Sequence, residues 1–290
     1  MYTEKRVLHD NGCHDKDWIS DNLQYEVITG SHAYGCQTPE SDYDIYGMTI
    51  PPKNYLFPEL YGYVREFSSN IPKFEQFAVD HIVLPNGYPA DISIYGIIKY
   101  FRLVADNNPN MVDTLFVRDQ LVTHKTKIAQ MIRDNRSLFI SKKCWHTFKG
   151  YAFSQMHKIK TKVPEGKRVV MVNKYGYDVK FAAHVIRLID EVDQLLTSGE
   201  MDLMRANELM KSVRHGEWKL DKVEKWFEDK QPALERLYET SPLPHKVDEE
   251  KLRILLLNCL EEFYGDLKIE KGQSTDKLIA EIDKVLNMYR

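Results

Sequence analysis

Two carboxylates two residues apart, Asp42 and Asp44, follow a Gly30-Ser31 pair across a ten-residue gap. If residues 42–50 form a strand, side chains alternate between its faces. Asp42 and Asp44 then project from one face, while Tyr43 and Ile45 point to the other, into a core. Two like charges side by side raise each other's pKa, so the pair calls for compensation. A hard divalent cation, Mg²⁺ or Mn²⁺, provides it, binding one or two carboxylates together with substrate phosphates. Gly30 lets the backbone approach a phosphate closely, and successive N–H groups with the Ser31 hydroxyl can hold phosphate oxygens. A phosphate cradle ahead of a carboxylate strand suits chemistry on a nucleoside triphosphate. A third carboxylate would complete a two-metal site; Asp91 is the candidate and Asp80 its competitor.

The elements that must place these groups are legible in outline. Residues 25–29 read as a strand ending at Gly30, residues 32–41 as a loop, and residues 42–50 as a strand stopped by Pro51-Pro52. Two β-prone runs, 81–84 and 88–92, flank Pro85-Asn-Gly87 and read as a hairpin. Apolar residues at 94, 97, 98, 101 and 104 have helical spacing, and the Asn107-Asn-Pro-Asn110 segment ends that helix. After about residue 130 helical periodicity dominates. Phe181, Val185, Leu188, Val192 and Leu195 form one apolar stripe running to a Ser198-Gly199 cap, and further helices fit 201–215, 222–238, 248–264 and 274–289. The expected architecture is α+β, with a helical C-terminal part after residue 130.

The motifs resemble the polymerase-β nucleotidyltransferase superfamily, and within it the RNA-repair-associated RlaP-type family. The similarity lies in Gly30, Ser31, Ala33, Tyr34 and Gly35, then Thr38, Pro39, Ser41, Asp42 and Asp44, then Asp91, Tyr95 and Asn108-Pro109-Asn110. It continues in Phe148-x-Gly-Tyr-Ala-x-x-Gln155 and in Tyr175-Gly-Tyr-Asp-x-Lys180-x-x-x-His184-x-x-Arg187. Two departures are visible: Asp113 stands where such proteins often carry Glu, and Tyr95 is followed by Gly96 and not an acid. The resemblance implies a polymerase-β-like mixed sheet with flanking helices. It implies a catalytic part over 1–130 and a helical part over 131–290. It also implies a metal-dependent enzyme in which Asp42, Asp44 and Asp91 carry the metals and the catalysis.

Charge distribution adds a second signal. The 290-residue chain has a net charge of −3, but residues 142–180 alone carry +8. Such a basic segment suits a polyanion, either the nucleotide or an acceptor backbone. Lys180, His184 and Arg187 fall at i, i+4 and i+7, so they share a helix face and join Gly30 and Ser31 as candidate nucleotide-binding residues. Trp145, Phe148, Tyr151, Phe153, Tyr175 and Tyr177 interleave with the lysines, a composition suited to base stacking or to a core. The expected partners are an NTP and an RNA or tRNA end; a protein or small-molecule acceptor, or a non-catalytic sensor, stays open.

Other classes are excluded by pattern. No apolar run approaches the ~20 residues of a membrane span, and the first residues lack a signal-peptide core. The four cysteines, Cys13, Cys36, Cys144 and Cys259, are too scattered for a zinc knuckle or CxxC, so a reduced, cytoplasmic protein is expected. There is no P-loop, HExxH, GxSxG or kinase motif set.

Overall fold

A computed structural model describes residues 1–265; the helix expected over 274–289 lies outside the described residues. Two short helices, α1 (Lys5–Asp10) and α2 (Trp18–Asp21), precede β1 (Leu23–Ile28), the turn-length α3 (Gly30–Ala33) and β2 (Tyr43–Thr49). Then come α4 (Lys53–Leu56), the hairpin of β3 (Gln76–Val83) and β4 (Pro89–Gly96), α5 (Ile97–Ala105), α6 (Pro109–Phe116) and β5 (Val122–Lys125). The rest is helical: α7 (Lys127–Asp134), α8 (Lys143–Thr161), α9 (Lys167–Tyr175), α10 (Val179–Ser198), α11 (Asn207–Arg214), α12 (Leu220–Thr240) and α13 (Glu249–Tyr264).

The five strands form one mixed sheet in the order β3-β4-β2-β1-β5. Only β2 and β4 run parallel; the hairpin partners and β5 are antiparallel to their neighbours. The parallel pair sets Asp44 directly opposite Asp91, which places Asp91 within a strand. The helix expected from residue 94 starts later, at Ile97, because Ile94, Tyr95 and Gly96 are paired with Gly47, Met48 and Thr49. The helix expected from 201 likewise starts at Asn207.

The sheet packs on both faces, and a register shift between Leu23 and Tyr25 moves β1 from one core to the other. Leu23, Ile45, Ile92 and Ile94 pack with Val7, Leu8 and Ile19 in a small core. Tyr25, Val27 and Met48 face a larger core shared with Tyr100, Phe148, Val185, Leu188 and Cys259. The long helix α10 is the spine of that core, with Val185, Leu188, Val192 and Leu195 all at 0% exposure. The Asp178 carboxylate caps its start by accepting the Lys180 and Phe181 N–H groups, and left-handed Gly199 ends it.

Gly47 shows how tightly the central strand is held. A Cβ there would stand 2.6 Å from Ile94 Cδ1 and 2.9 Å from the Tyr25 carbonyl oxygen. Gly47→Ala is therefore expected to destabilise the fold by about 1–3 kcal/mol through overpacking, measured by urea denaturation; an unchanged midpoint would contradict the packing.

Candidate functional site

The end of β1 and the start of β2 meet where the chain turns. Gly30 adopts a left-handed φ of 60°, and the Thr29 N–H and hydroxyl both donate to the Asp44 carbonyl, at 2.7 and 3.0 Å. This brings the Asp44 carboxylate against the Gly30 Cα, so that a Cβ on residue 30 would lie 1.7 Å from Asp44 Oδ2. Glycine is thus required twice, by the backbone angle and by the carboxylate. The following loop closes on itself, Cys36 N–H to the Ser31 carbonyl at 2.8 Å and Thr38 N–H to Ser41 Oγ at 2.9 Å.

Asp42, Asp44 and Asp91 line one cleft of about 810 Å³, together with Gly30, Ser31, Thr38 and Ser41. Asp80 is exposed and lies outside it. Burial pushes the Asp44 carboxyl above its ordinary range; Lys180 opposes the rise, while Asp91 and Asp42 add to it. No described residue donates a hydrogen bond to the carboxylate of Asp44 or Asp42. Asp91 Oδ1 accepts the His81 N–H at 2.7 Å. His81 sits in a bulge of β3, with a φ of 58°, and its exposed imidazole also lines the cleft. Among the described residues no three His, Cys, Asp or Glu side chains close into a ready metal cluster.

The opposite wall is cationic. Lys180 and His184 from α10 face the cleft, joined by Arg168 of α9 and Arg214 of α11, which sequence spacing did not single out. Arg214 donates to the Cys36 carbonyl at 2.6 Å, tying α11 to the loop. Arg168 pairs with Asp178 at 2.5 Å and stands over the Phe181 ring. Burial holds the His184 imidazole well below its ordinary pKa, and Arg187, Lys180, Arg168 and Arg214 push the same way; it is a neutral ring among cations.

Arg187 does not reach the cleft. It lies two helical turns beyond Lys180, about 10 Å along the axis, and is buried at 3% exposure. Its Nη1 donates to Asp113 Oδ2 at 2.7 Å and to the Tyr34 hydroxyl, and its Nη2 to Asn110 Oδ1 at 3.2 Å. The Tyr34 hydroxyl also donates to Asp113. The same face therefore carries two roles: its outer turn faces the cleft and its inner turn anchors the loop after Gly30 and α6. The aromatics of the basic segment also stay out of the cleft, with Trp145, Phe148 and Tyr177 buried in the core.

A second acid, Glu191, stands 3.8 Å from Arg187 Nε, and its oxygens have no hydrogen-bond partner among the described residues. One guanidinium thus faces two buried carboxyls. Burial lifts Glu191 well above its usual range; Arg187 opposes the rise and Asp113 adds to it. With its folded pKa raised, Glu191 contributes stability that is full below about pH 4.3 and is lost as pH climbs through the folded value. Thermal melts should accordingly show Glu191→Gln gaining on the parent chain between pH 5 and pH 8, and an equal offset at both pH values would reject the assignment. Gly30→Ala is expected to cost about 1–3 kcal/mol and to recover only part of that penalty in an Asp44→Ala background, read as a double-mutant cycle, because the left-handed backbone angle remains.

The chain is similar to several known proteins. The chain is 30% identical over 136 residues to the uncharacterized 38.9 kDa protein in the nrdC-mobD intergenic region of Enterobacteria phage T4. That match covers 44% of this chain and 36% of the phage protein, so it spans little more than a third of that relative's length. Among solved structures, a nucleotidyltransferase-like protein from Exiguobacterium sibiricum 255-15 aligns over 91% of this chain and 74% of its own. Its identity is 9% and its TM-score 0.29, a likeness too slight to carry weight. The family model described as RNA repair pathway DNA polymerase beta family, RlaP, matches residues 10–284. With that match spanning nearly the whole length, the chain belongs to the RlaP family of polymerase-β-type nucleotidyltransferases and has their α+β fold.

Proposed function

We propose that this protein transfers a nucleoside monophosphate from an NTP to a hydroxyl acceptor, an RNA end, and releases pyrophosphate. The observation that carries the reading is the polarity of one cleft: Asp42, Asp44 and Asp91 on the sheet wall face Arg168, Lys180 and Arg214 on the helical wall. A triphosphate bound with a divalent cation is complementary to both walls at once.

The donor set fits such a cation. Asp44 is half-buried beside Asp91 and Asp42 with no described hydrogen-bond donor, which is costly unless a cation stands beside it. Asp42, Asp44 and Asp91 would hold Mg²⁺ or Mn²⁺, with substrate phosphates completing the coordination; bound there, the metal supplies charge neutralisation at the phosphate under attack. The chain's own residues do the rest. Gly30 and the Ser31 amide and hydroxyl cradle the terminal phosphates. Lys180, Arg168 and Arg214 neutralise the charge that accumulates on the leaving pyrophosphate. His184, held neutral, offers a hydrogen bond without charge. Asp91 accepts the proton of the acceptor hydroxyl; the freed oxygen bonds to the α-phosphorus in line as the bond to the bridging oxygen breaks. In this reading residues 1–130 form the catalytic part and 131–290 the part that supplies the cations.

The test is label transfer from each α-³²P NTP, with Mg²⁺ or Mn²⁺, to total RNA, tRNA and the protein itself. Asp42→Asn and Asp44→Asn are each expected to lower transfer to RNA by about a thousandfold or more, with the fold retained. Without metal, Asp44→Asn is expected to melt about 1–4 °C higher than the parent chain, because it removes a buried like charge. Near-parental transfer in either variant would overturn the carboxylate assignment, and label on protein would replace RNA as the acceptor.

A further inference from the structure

A second cavity, of about 630 Å³, lies away from the cleft, bounded by α5, the start of α8, the end of α12 and the start of α13. The antiparallel pairing of α8 and α10 sets the distance. Lys158 and Lys162, at the far end of α8, stand over Phe181 beside the cleft, whereas Lys142 and Lys143 at its beginning line the second cavity. The intervening helix separates the two by about 25 Å at 1.5 Å per residue.

This groove has two helical walls. Leu252, Arg253 and Leu256 fall on one face of α13, and Phe101, Arg102 and Ala105 on one face of α5. Its bottom is mainly apolar, from Phe101, Ala105, Leu252 and Leu256, and its rim is basic. Arg102, Lys143, Lys246 and Arg253 line it against only two acids, Asp106 and Glu249, while Lys142 is buried and its Nζ donates to the Glu239 carbonyl at 3.2 Å. Lys143 is engaged with Asp106 at 2.5 Å and Arg253 with Glu250. Arg102 and Lys246 are exposed and make no ion pair with a described residue. In a chain of net charge −3, an excess of cations around an apolar trough is a specific local feature.

We propose that this groove is a docking site for an acidic amphipathic helix of a partner protein. An apolar stripe at helical spacing fills a trough between two helices, and flanking Glu or Asp residues meet Arg102 and Lys246 across the rim. Single-stranded nucleic acid fits less well. Phe101 is buried against Phe139, and Tyr238 is flanked by Lys142 and His146, so neither ring offers a free face for successive bases. The proposal does not depend on the reaction assigned to the cleft.

The experiment uses the full chain and a fluorescent synthetic helix of about four turns, with Leu at i, i+3, i+4 and i+7 and Glu on both flanks. Anisotropy should give saturable binding, and the same peptide with Lys in place of Glu should not bind. Ala105→Trp, which fills the trough from a half-buried position, and the double reversal Arg102→Glu with Lys246→Glu should each weaken binding about tenfold or more. Circular dichroism and nucleotidyl transfer should stay at parental levels in both. Failure of the Glu peptide to saturate, or equal binding by the variants, would overturn the proposal. So would single-stranded RNA binding that is lost in the same variants, which would make the groove a nucleic-acid site. Displacement of the probe by a peptide of residues 266–290 at lower concentration than by the unlabelled probe would also overturn it, naming the chain's own segment as the occupant.

Discussion

The Arg187 guanidinium, sealed under the cleft, is the interaction on which the rest of the arrangement depends. It holds Tyr34 of the loop after Gly30, Asn110 and Asp113 of α6, and its own helix α10 at one point. Removing one member of a buried ion pair strands the other charge, typically at 3–5 kcal/mol, so the three elements are committed to one relative placement. That placement also sets the floor of the cleft, since Tyr34 belongs both to the network and to the cleft wall. Glu191 leaves the network with more acid than base, and the fold resolves the excess by favouring its neutral form.

Above that anchor the molecule keeps opposite charges apart. Asp44 and Asp91 are fixed by the sheet, with Asp42 one residue ahead of β2, and Arg168, Lys180 and Arg214 are fixed by three different helices. Were the two sets in contact, they would neutralise each other and leave nothing for a ligand. Gly30 permits the separation: with no Cβ it lets the Asp44 carboxylate lie against the loop backbone, where it accepts no hydrogen bond from a described side chain. The local instability of this site is offset by the wide burial around α10, in keeping with strain concentrated where a ligand is expected.

Much of this was readable from residue order because the relevant interactions are short-range. Period-two alternation set Asp42 and Asp44 on one face, the Asn-Gly turn marked the β3–β4 hairpin, and the stripe from Phe181 to Leu195 marked α10. Long-range pairing was not readable. Nothing local says that β4 runs parallel to β2, so the facing of Asp44 and Asp91 emerges only with the sheet. The short edge strand β5 is Val-Thr-His-Lys, too polar and too brief to alternate visibly. Helical spacing put Lys180, His184 and Arg187 on one face, yet spacing says nothing of depth, and two turns separate a cleft residue from a core one. Arg168 and Arg214 carried no pattern of their own; only the packing of α9 and α11 around α10 gives them a place. Tyr34 entered the sequence reading only as one residue of the family motif, and its tie to Arg187 and Asp113 emerges only with the packing.

The order of the two walls along the chain has a consequence for synthesis. All three carboxylates precede residue 92, whereas the part of the chain that forms the helical wall runs from Glu165 to Arg214. On a ribosome moving at roughly 5–20 residues per second, the second wall begins to appear only about 4–15 s after the first is complete. During that interval the nascent chain carries the three acids without the cationic residues or the Arg187 guanidinium that face and brace them in the finished fold. The two charged walls of the cleft therefore exist in one chain only after Arg214 has been added, so the site is among the later parts of the molecule that synthesis can complete.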